Sequence, residues 1–256
     1  MVETSSFLSK FKNILSWIAF CLVVVFMFWT VNNPAIVGAA ATSRQLPVYC
    51  VQRDDKVIAL SFDAAWGNED TQILIDILNK YKLTTTFFVV GDWVTKYPES
   101  VKALSDAGNE VMNHSSNHAH FSKLSGEEII ADITACNEKI AAVTGVTPTL
   151  FRCPYGEYDD HVINAVNSMG MTAVQWNIDS LDWKGLSAKE IQQRVIDKAE
   201  PGSIVLFHNA AENTPEALPG IIEALIADGY KIIPVSQILL KGDYTIDNTG
   251  KQIPKE

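Results

Sequence analysis

Positive charge is in short supply in this chain. Its 256 residues carry 20 Lys and Arg against 30 Asp and Glu, a formal net charge of -10. The acidic residues are spread out rather than run together. No basic patch is present to neutralise phosphates, so no nucleic-acid partner is expected and a neutral or cationic substrate is favoured. Cysteine is sparse too. Cys21 falls in an apolar run, and Cys50, Cys136 and Cys153 form an odd remainder without metal-type spacing. That excludes a disulfide framework, and a chain that is 47% hydrophobic needs none, because it can bury one sizeable core. Repeats and low-complexity tracts are also missing, which excludes solenoids and leaves one catalytic-sized domain plus ends.

One stretch lacks charge altogether. Between Lys12 and Arg44 there is no Asp, Glu, Lys or Arg, and Ile14 to Val31 is an almost unbroken apolar run with Trp17 and Trp29 near its ends. As a helix this run covers roughly 27 Å, close to the hydrocarbon thickness of a bilayer. The tryptophans suit an interfacial belt, and Lys10 and Lys12 predict a cytoplasmic N-terminus. The expected division is a cytoplasmic segment 1–13, a transmembrane anchor 14–31 and a linker 32–55, with the rest extracytoplasmic. A cleaved signal peptide is the alternative, because Ala39-Ala40-Ala41 offers an A-x-A site. The apolar run is long for that, which favours the anchor. The cleaved form would be secreted.

From Val57 onward strands and helices alternate. Val57–Phe62, Thr85–Val90, Glu110–Met112, Thr149–Phe151, Thr172–Trp176, Ser203–Phe207 and Lys231–Val235 read as seven strands. Helices fall between them: from Glu69 to Lys80 with Asn68 as N-cap, then to Asp106, and from Asp160 to Met169 and Pro215 to Ala227. Two more open on the capping boxes Ser125 with Glu128 and Ser187 with Glu190. The polar tail 241–256 is expected to be disordered.

Such alternation calls for a parallel sheet, closed as a barrel or open and doubly wound. The reactive side chains separate the two. Asp63 follows the first strand, His114 the third, Arg152 the fourth, Asp179 and Asp182 the fifth, and His208 the sixth. A barrel brings every C-terminal strand end to one face, whereas an open sheet collects only those at its switch point. Five separate contributions favour an α/β barrel over 56–240.

Asn113 to His120 holds three of the chain's five histidines. His114 and His118 are spaced i, i+4, which on a helical turn sets both imidazoles on one face, able to share a metal ion. The same residues also fit a polar loop facing solvent. Taken singly, Asp63 reads as a cap, Arg152 as half of an ion pair, His208 as a satisfied strand-end histidine and Asp182-Trp183 as loop packing. Their joint placement after successive strands points to an active site.

Five ordered motifs carry a resemblance: Ser61-Phe62-Asp63, His114-Ser-Ser-Asn-His118, Arg152-Cys-Pro-Tyr155-Gly156, Asp179-Ser-Leu-Asp182-Trp183 and Leu206-Phe-His208. Over roughly Lys56 to Leu240 the chain resembles the NodB-homology polysaccharide deacetylases, carbohydrate esterase family 4. Its Phe-Asp-Ala-Ala-Trp-Gly segment and N-terminal anchor are most similar to the sporulation-associated PdaB-like branch. The resemblance implies an irregular (β/α)7 barrel and metal-dependent removal of N-acetyl groups from an aminosugar polymer, here cell-wall or spore-cortex peptidoglycan. It implies a divalent ion, zinc above all, on His114 and His118, with Asp63 as general base and Arg152 holding Asp63 ionised. His208 would be the general acid, supported by Asp182. The backbone N–H of Tyr155 would face the oxyanion, Trp183 and Leu206 would wall the acetyl pocket, and Trp66 would stack on a sugar. The chain is read as a monomer whose partners are the glycan and, through its anchor, the membrane.

Two positions depart from the family pattern. The usual first motif, Phe-Asp-Asp-Gly, supplies a third metal ligand where this chain has Ala64, so Asp63 is read as base and third ligand together, or water fills the place. His120 would reach the same ion only through a non-helical turn. Cys153 replaces a proline. A glycan-binding barrel without hydrolysis is therefore the alternative to a working enzyme.

Overall fold

The computed structural model describes the backbone over residues 2–32 and 44–255, with side chains over 14–30, 32 and 44–255. It divides into two units, Met1–Arg44 and Gln45–Glu256. The first contains helix α1 (Val2–Asn32). Ile14, Leu15, Trp17, Ile18 and Phe20 are all exposed, and at 100° per residue they carry apolar surface around the whole helix. Among the described residues no helix is long and apolar enough to cross a membrane. The Ala39–Ala41 site, the 33–43 part of the linker and the side chains of segment 1–13 lie outside the described residues.

The second unit is built on strand β2 (Val57–Ala64), buried at every residue. A strand covered on both faces reads as a continuous apolar run, as VIALSF does. It pairs in parallel with β3 (Thr86–Val89) on one side and β8 (Ile204–His208) on the other, and its first residues pair with β9 (Lys231–Ile232). Outward from β3 follow β4 (Glu110–Asn113), β5 (Leu150–Phe151) and β6 (Thr172–Ala173); outward from β8 lies β7 (Ile178–Asp179).

The expected closed barrel is instead a curled sheet whose end strands β6 and β7 do not pair with each other. The expected strand 172–176 stops at Ala173, and the segment around Val48 enters beside it. Val48 N–H donates to Ala173 O at 2.9 Å, and Gln175 N–H donates to Val48 O at 2.7 Å. Part of the expected linker is thus structural. Its next residues, β1 (Cys50–Val51), pair in parallel with β11 (Lys251–Pro254), which pairs antiparallel with β10 (Tyr244–Ile246). The tail expected to be disordered is therefore ordered, because β1 gives its polar residues a backbone partner. Gly202 allows this seam: at φ +84 a Cβ there would stand 1.8 Å from Val51 O.

Helices α2 (Thr71–Lys80), α3 (Gly91–Lys96), α4 (Pro98–Asp106), α5 (Gly126–Thr144), α6 (Asp160–Ser168), α7 (Ala188–Ile196), α8 (Thr214–Ala227) and α9 (Val235–Ile238) complete the domain. Both capping boxes form, at Ser125 and Ser187. Asn68 is not the cap of α2; Asp70 occupies that position, with no side-chain cap bond.

Candidate active site

Strand register sets the site. In the β2–β8 ladder Asp63 stands opposite His208, at the C-terminal ends of both strands. Asp63 is 5% exposed and Arg152 is fully buried. The guanidinium donates to Asp63 Oδ1 at 2.8 Å, to Ser61 Oγ at 2.9 Å and to Gln175 O at 3.2 Å, and lies 4.0 Å from the Phe88 ring centroid. Burial, the largest influence on Asp63, opposes its charge. The fields of His114, Arg152 and His208 and the Arg152 hydrogen bond outweigh it and hold the carboxyl below its ordinary range.

The histidine segment is not helical. Asn113, fully buried, donates to Ile133 O and Asn137 Oδ1 on α5 and accepts Ser115 N–H at 2.8 Å. Ser115 and His118 adopt positive φ (70° and 58°), and Ser115 Oγ accepts His118 N–H at 2.7 Å. Two tight turns, not one helical face, bring the His114 and His118 rings to 4.9 Å. His114 Nδ1 lies 2.8 Å from Arg152 O. A carbonyl only accepts, so Nδ1 carries the proton and the Nε2 lone pair faces Asp63 Oδ2 at 3.4 Å. Burial lowers the pKa of His114, and burial with the nearby His114 lowers that of His118 to about 4.

His208 is built oppositely. Its Nδ1 donates to Asp182 Oδ1 at 2.8 Å, while Asp182 Oδ2 accepts His208 N–H and Thr214 Oγ. Burial acts against the imidazolium, but Asp182 and the more distant Asp63 prevail and raise the His208 pKa. Asp63, His114, His118, Tyr155, Trp66, Trp183, Leu206 and His208 all line one cavity of about 440 Å³. Arg152 and Asp182 stand behind it, each bonded to a residue in its wall.

Trp176 and Asp179 line the cavity too; the sequence placed Asp179 among the reactive strand-end side chains without giving it a role, and Trp176 was omitted. Trp176 sits just past β6 as the acidic and basic groups sit past theirs, so its position was the available signal. His120 does not join His114 and His118: the Tyr155 ring contacts both His118 and His120, and His120 Nδ1 pairs with Glu157. Cys153 packs in the core with Phe121 and Phe151, where burial pushes its thiol up to about 12.

The donor set fits a divalent ion in part. Two neutral imidazoles, one with its far nitrogen fixed by a carbonyl, are the arrangement transition metals take. Ala64 supplies no donor: its methyl is 1% exposed and packs in the main core, while Ala65 lines the cavity. Among the described residues no three His, Cys, Asp or Glu side chains form a metal-binding group.

Comparison with known proteins agrees with this constellation. The polysaccharide deacetylase family model matches residues 51–174. A peptidoglycan-N-acetylglucosamine deacetylase of Bacillus cereus is 33% identical over 74% of this chain and 91% of its own length. The chain belongs to the polysaccharide deacetylase family. Another such deacetylase, the peptidoglycan-N-acetylmuramic acid deacetylase PdaC of Bacillus subtilis, is 37% identical over 73% of this chain and 40% of its own length. The chain spans less than two thirds of the first curated relatives it matches. Among solved polysaccharide deacetylase folds, a CE4 family pseudoenzyme from Bacillus anthracis superposes with a TM-score of 0.73 at 34% identity, over 75% of this chain and 68% of that one. A mutant of that protein is described as having restored enzymatic activity.

Proposed function

We propose that this chain removes N-acetyl groups from an aminosugar polymer, with cell-wall peptidoglycan as substrate class. The observation that carries the reading is a pair of dyads, Asp63 with Arg152 and His208 with Asp182, opening on one cavity that also presents two neutral imidazoles. Ionised Asp63, steered by Arg152 on Oδ1, accepts a proton from the attacking water. Water adds to the acetyl carbon, and the Tyr155 backbone N–H serves as a donor to the oxygen that gains charge. His208, its Nδ1–H held by Asp182, gives its other proton to the amine nitrogen as the C–N bond breaks. Acetate and a free amine leave. Leu206 and Trp183 enclose the acetyl methyl, and Trp66 offers a face for the sugar. A divalent ion, zinc foremost, would be held by His114 and His118, with Asp63 the carboxylate offered as third ligand, and would polarise the carbonyl and the water.

Ala64 favours a second reading, in which the cavity binds glycan without cutting it. The deciding experiment incubates the chain with N-acetylated peptidoglycan and saturating zinc and counts free amines. Release by wild type is expected. Release only by Ala64→Asp or Ala65→Asp would establish the glycan-binding reading instead. A restored carboxylate should also tighten zinc binding at least about tenfold, the scale on which even outer-shell partners act.

The uncharged run and exposed apolar surface of α1 support a membrane anchor with an extracytoplasmic domain. The Phe62-to-Gly67 segment supports a role in the spore envelope.

A further inference from the structure

We infer that His120 is a positioning residue that fixes the Tyr155 ring as a wall of the glycan-binding rim. What the wall meets rests on the glycan reading above; the brace itself rests on geometry alone. Tyr155 lies in the turn Pro154–Gly156 at φ 59, a conformation rare for a residue with a side chain, and it is 61% exposed. A ring so exposed rotates freely unless something holds it. Two rings do. His118 meets it edge-on, with centroids 4.4 Å apart at 74°, and His120 lies nearly parallel to it, at 4.4 Å and 14°.

His120 is itself half exposed and would not stay parallel unaided. Its Nδ1 sits 2.7 Å from Glu157 Oε2, and Ser122 Oγ donates to Glu157 Oε1. Both carboxylate oxygens are thus engaged, so Glu157 stands as a fixed post. Ser122 and then His120 hold it ionised, so Nδ1 of His120 is the donor. The brace joins the segment after β4 to the segment after β5, and neither His120 nor Glu157 lines the cavity. Among the described residues its ring contact with the cavity wall is Tyr155, so its effect on substrate passes through that ring.

The test uses the full chain in detergent with fluorotyrosine incorporated, the Tyr155 fluorine line being assigned by Tyr155→Phe. Glycan binding is measured calorimetrically with an N-acetylated peptidoglycan tetrasaccharide, a chelator being present to prevent turnover. His120→Ala should shift the Tyr155 line and weaken glycan binding about 2- to 10-fold, the range that aromatic-pair energies correspond to. His120→Phe, which keeps the stack, should restore both. With Tyr155→Ala in place, adding His120→Ala should weaken binding no further. In turnover, His120→Ala should raise KM and leave kcat within about twofold.

An unmoved fluorine line, a His120→Phe variant no better than His120→Ala, or additive effects of the two alanines would overturn the brace. A shifted line in a chain that binds no glycan would overturn the glycan-wall role and the function proposed above, while the brace would stand.

Discussion

Removing the Arg152 guanidinium should be among the most damaging single changes in this domain, and the damage should depend on pH. In Arg152→Met the apolar stem is largely kept, and what disappears is the guanidinium over Phe88, with its charge and its bonds to Asp63, Ser61, Gln175 and Val174. Ser61 Oγ keeps its bond to Val205 O, so the principal orphan is the Asp63 carboxylate. Leaving one member of a buried ion pair uncompensated costs about 3–5 kcal/mol. In a domain of this size that lowers the melting temperature by roughly 6–20 °C.

The sign of the pH dependence follows from Asp63. In wild type its folded pKa is depressed, so its stabilisation is present above the unfolded value and lost as pH falls through the folded one. Without Arg152 its field and its hydrogen bond are both gone, burial prevails over the remaining fields of His114 and His208, and the folded pKa rises above the unfolded one. The carboxyl's contribution then reverses, being full at low pH and lost as pH climbs. Urea unfolding of wild type and Arg152→Met, followed by near-ultraviolet circular dichroism, should therefore diverge more at about pH 7.5 than at about pH 5. Adding Asp63→Asn to Arg152→Met removes the stranded charge and should recover part of the loss. A single-variant cost below about 1 kcal/mol, or a double variant less stable than Arg152→Met alone, would refute this account.

Further outcomes concern His208 and the placement of the domain. His208 has a raised pKa, so its acid form persists above its ordinary range, and deacetylation should decline as pH rises through that value. Asp182→Asn should move this limb toward lower pH, and His208→Ala should cost about 100- to 10,000-fold in turnover; an unmoved limb would sink the assignment. Protease added to intact protoplasts should digest the domain Gln45–Glu256, and its protection would overturn the extracytoplasmic placement.

The features legible in the sequence were those set by local chemistry. Both capping boxes formed because Ser at the N-cap and Glu three residues on satisfy each other's backbone donors whatever surrounds them. The buried strand β2 was visible because a strand covered on both faces must be apolar throughout. The misread segments depend on distant partners. Nothing within 241–256 reveals that Cys50–Val51 will lie beside it, so its polar residues read as disorder. Nothing around Thr172–Trp176 shows that Val48 will take over the backbone pairing after Ala173.

In the site, residue identity was easier to read than geometry. His114 and His118 were found by spacing, yet the helical turn assumed for them does not exist; Asn113 and Ser115, polar residues that looked like loop filler, make the turns that bring the rings together. A similar limit governs the missing ligand. Placing it at Ala64 follows from motif alignment, but a strand sends successive side chains to opposite faces. Asp63 and Ala65 line the cavity, and Ala64 packs in the core between them in sequence. A carboxylate at 64 must swing out of a packed interior to reach an ion, whereas one at 65 starts at the cavity wall. The two substitutions therefore ask different questions. Tighter zinc binding by Ala64→Asp alone would mean that the strand end yields to the ion, and tighter binding by Ala65→Asp alone would mean that the cavity face already points where a third ligand belongs.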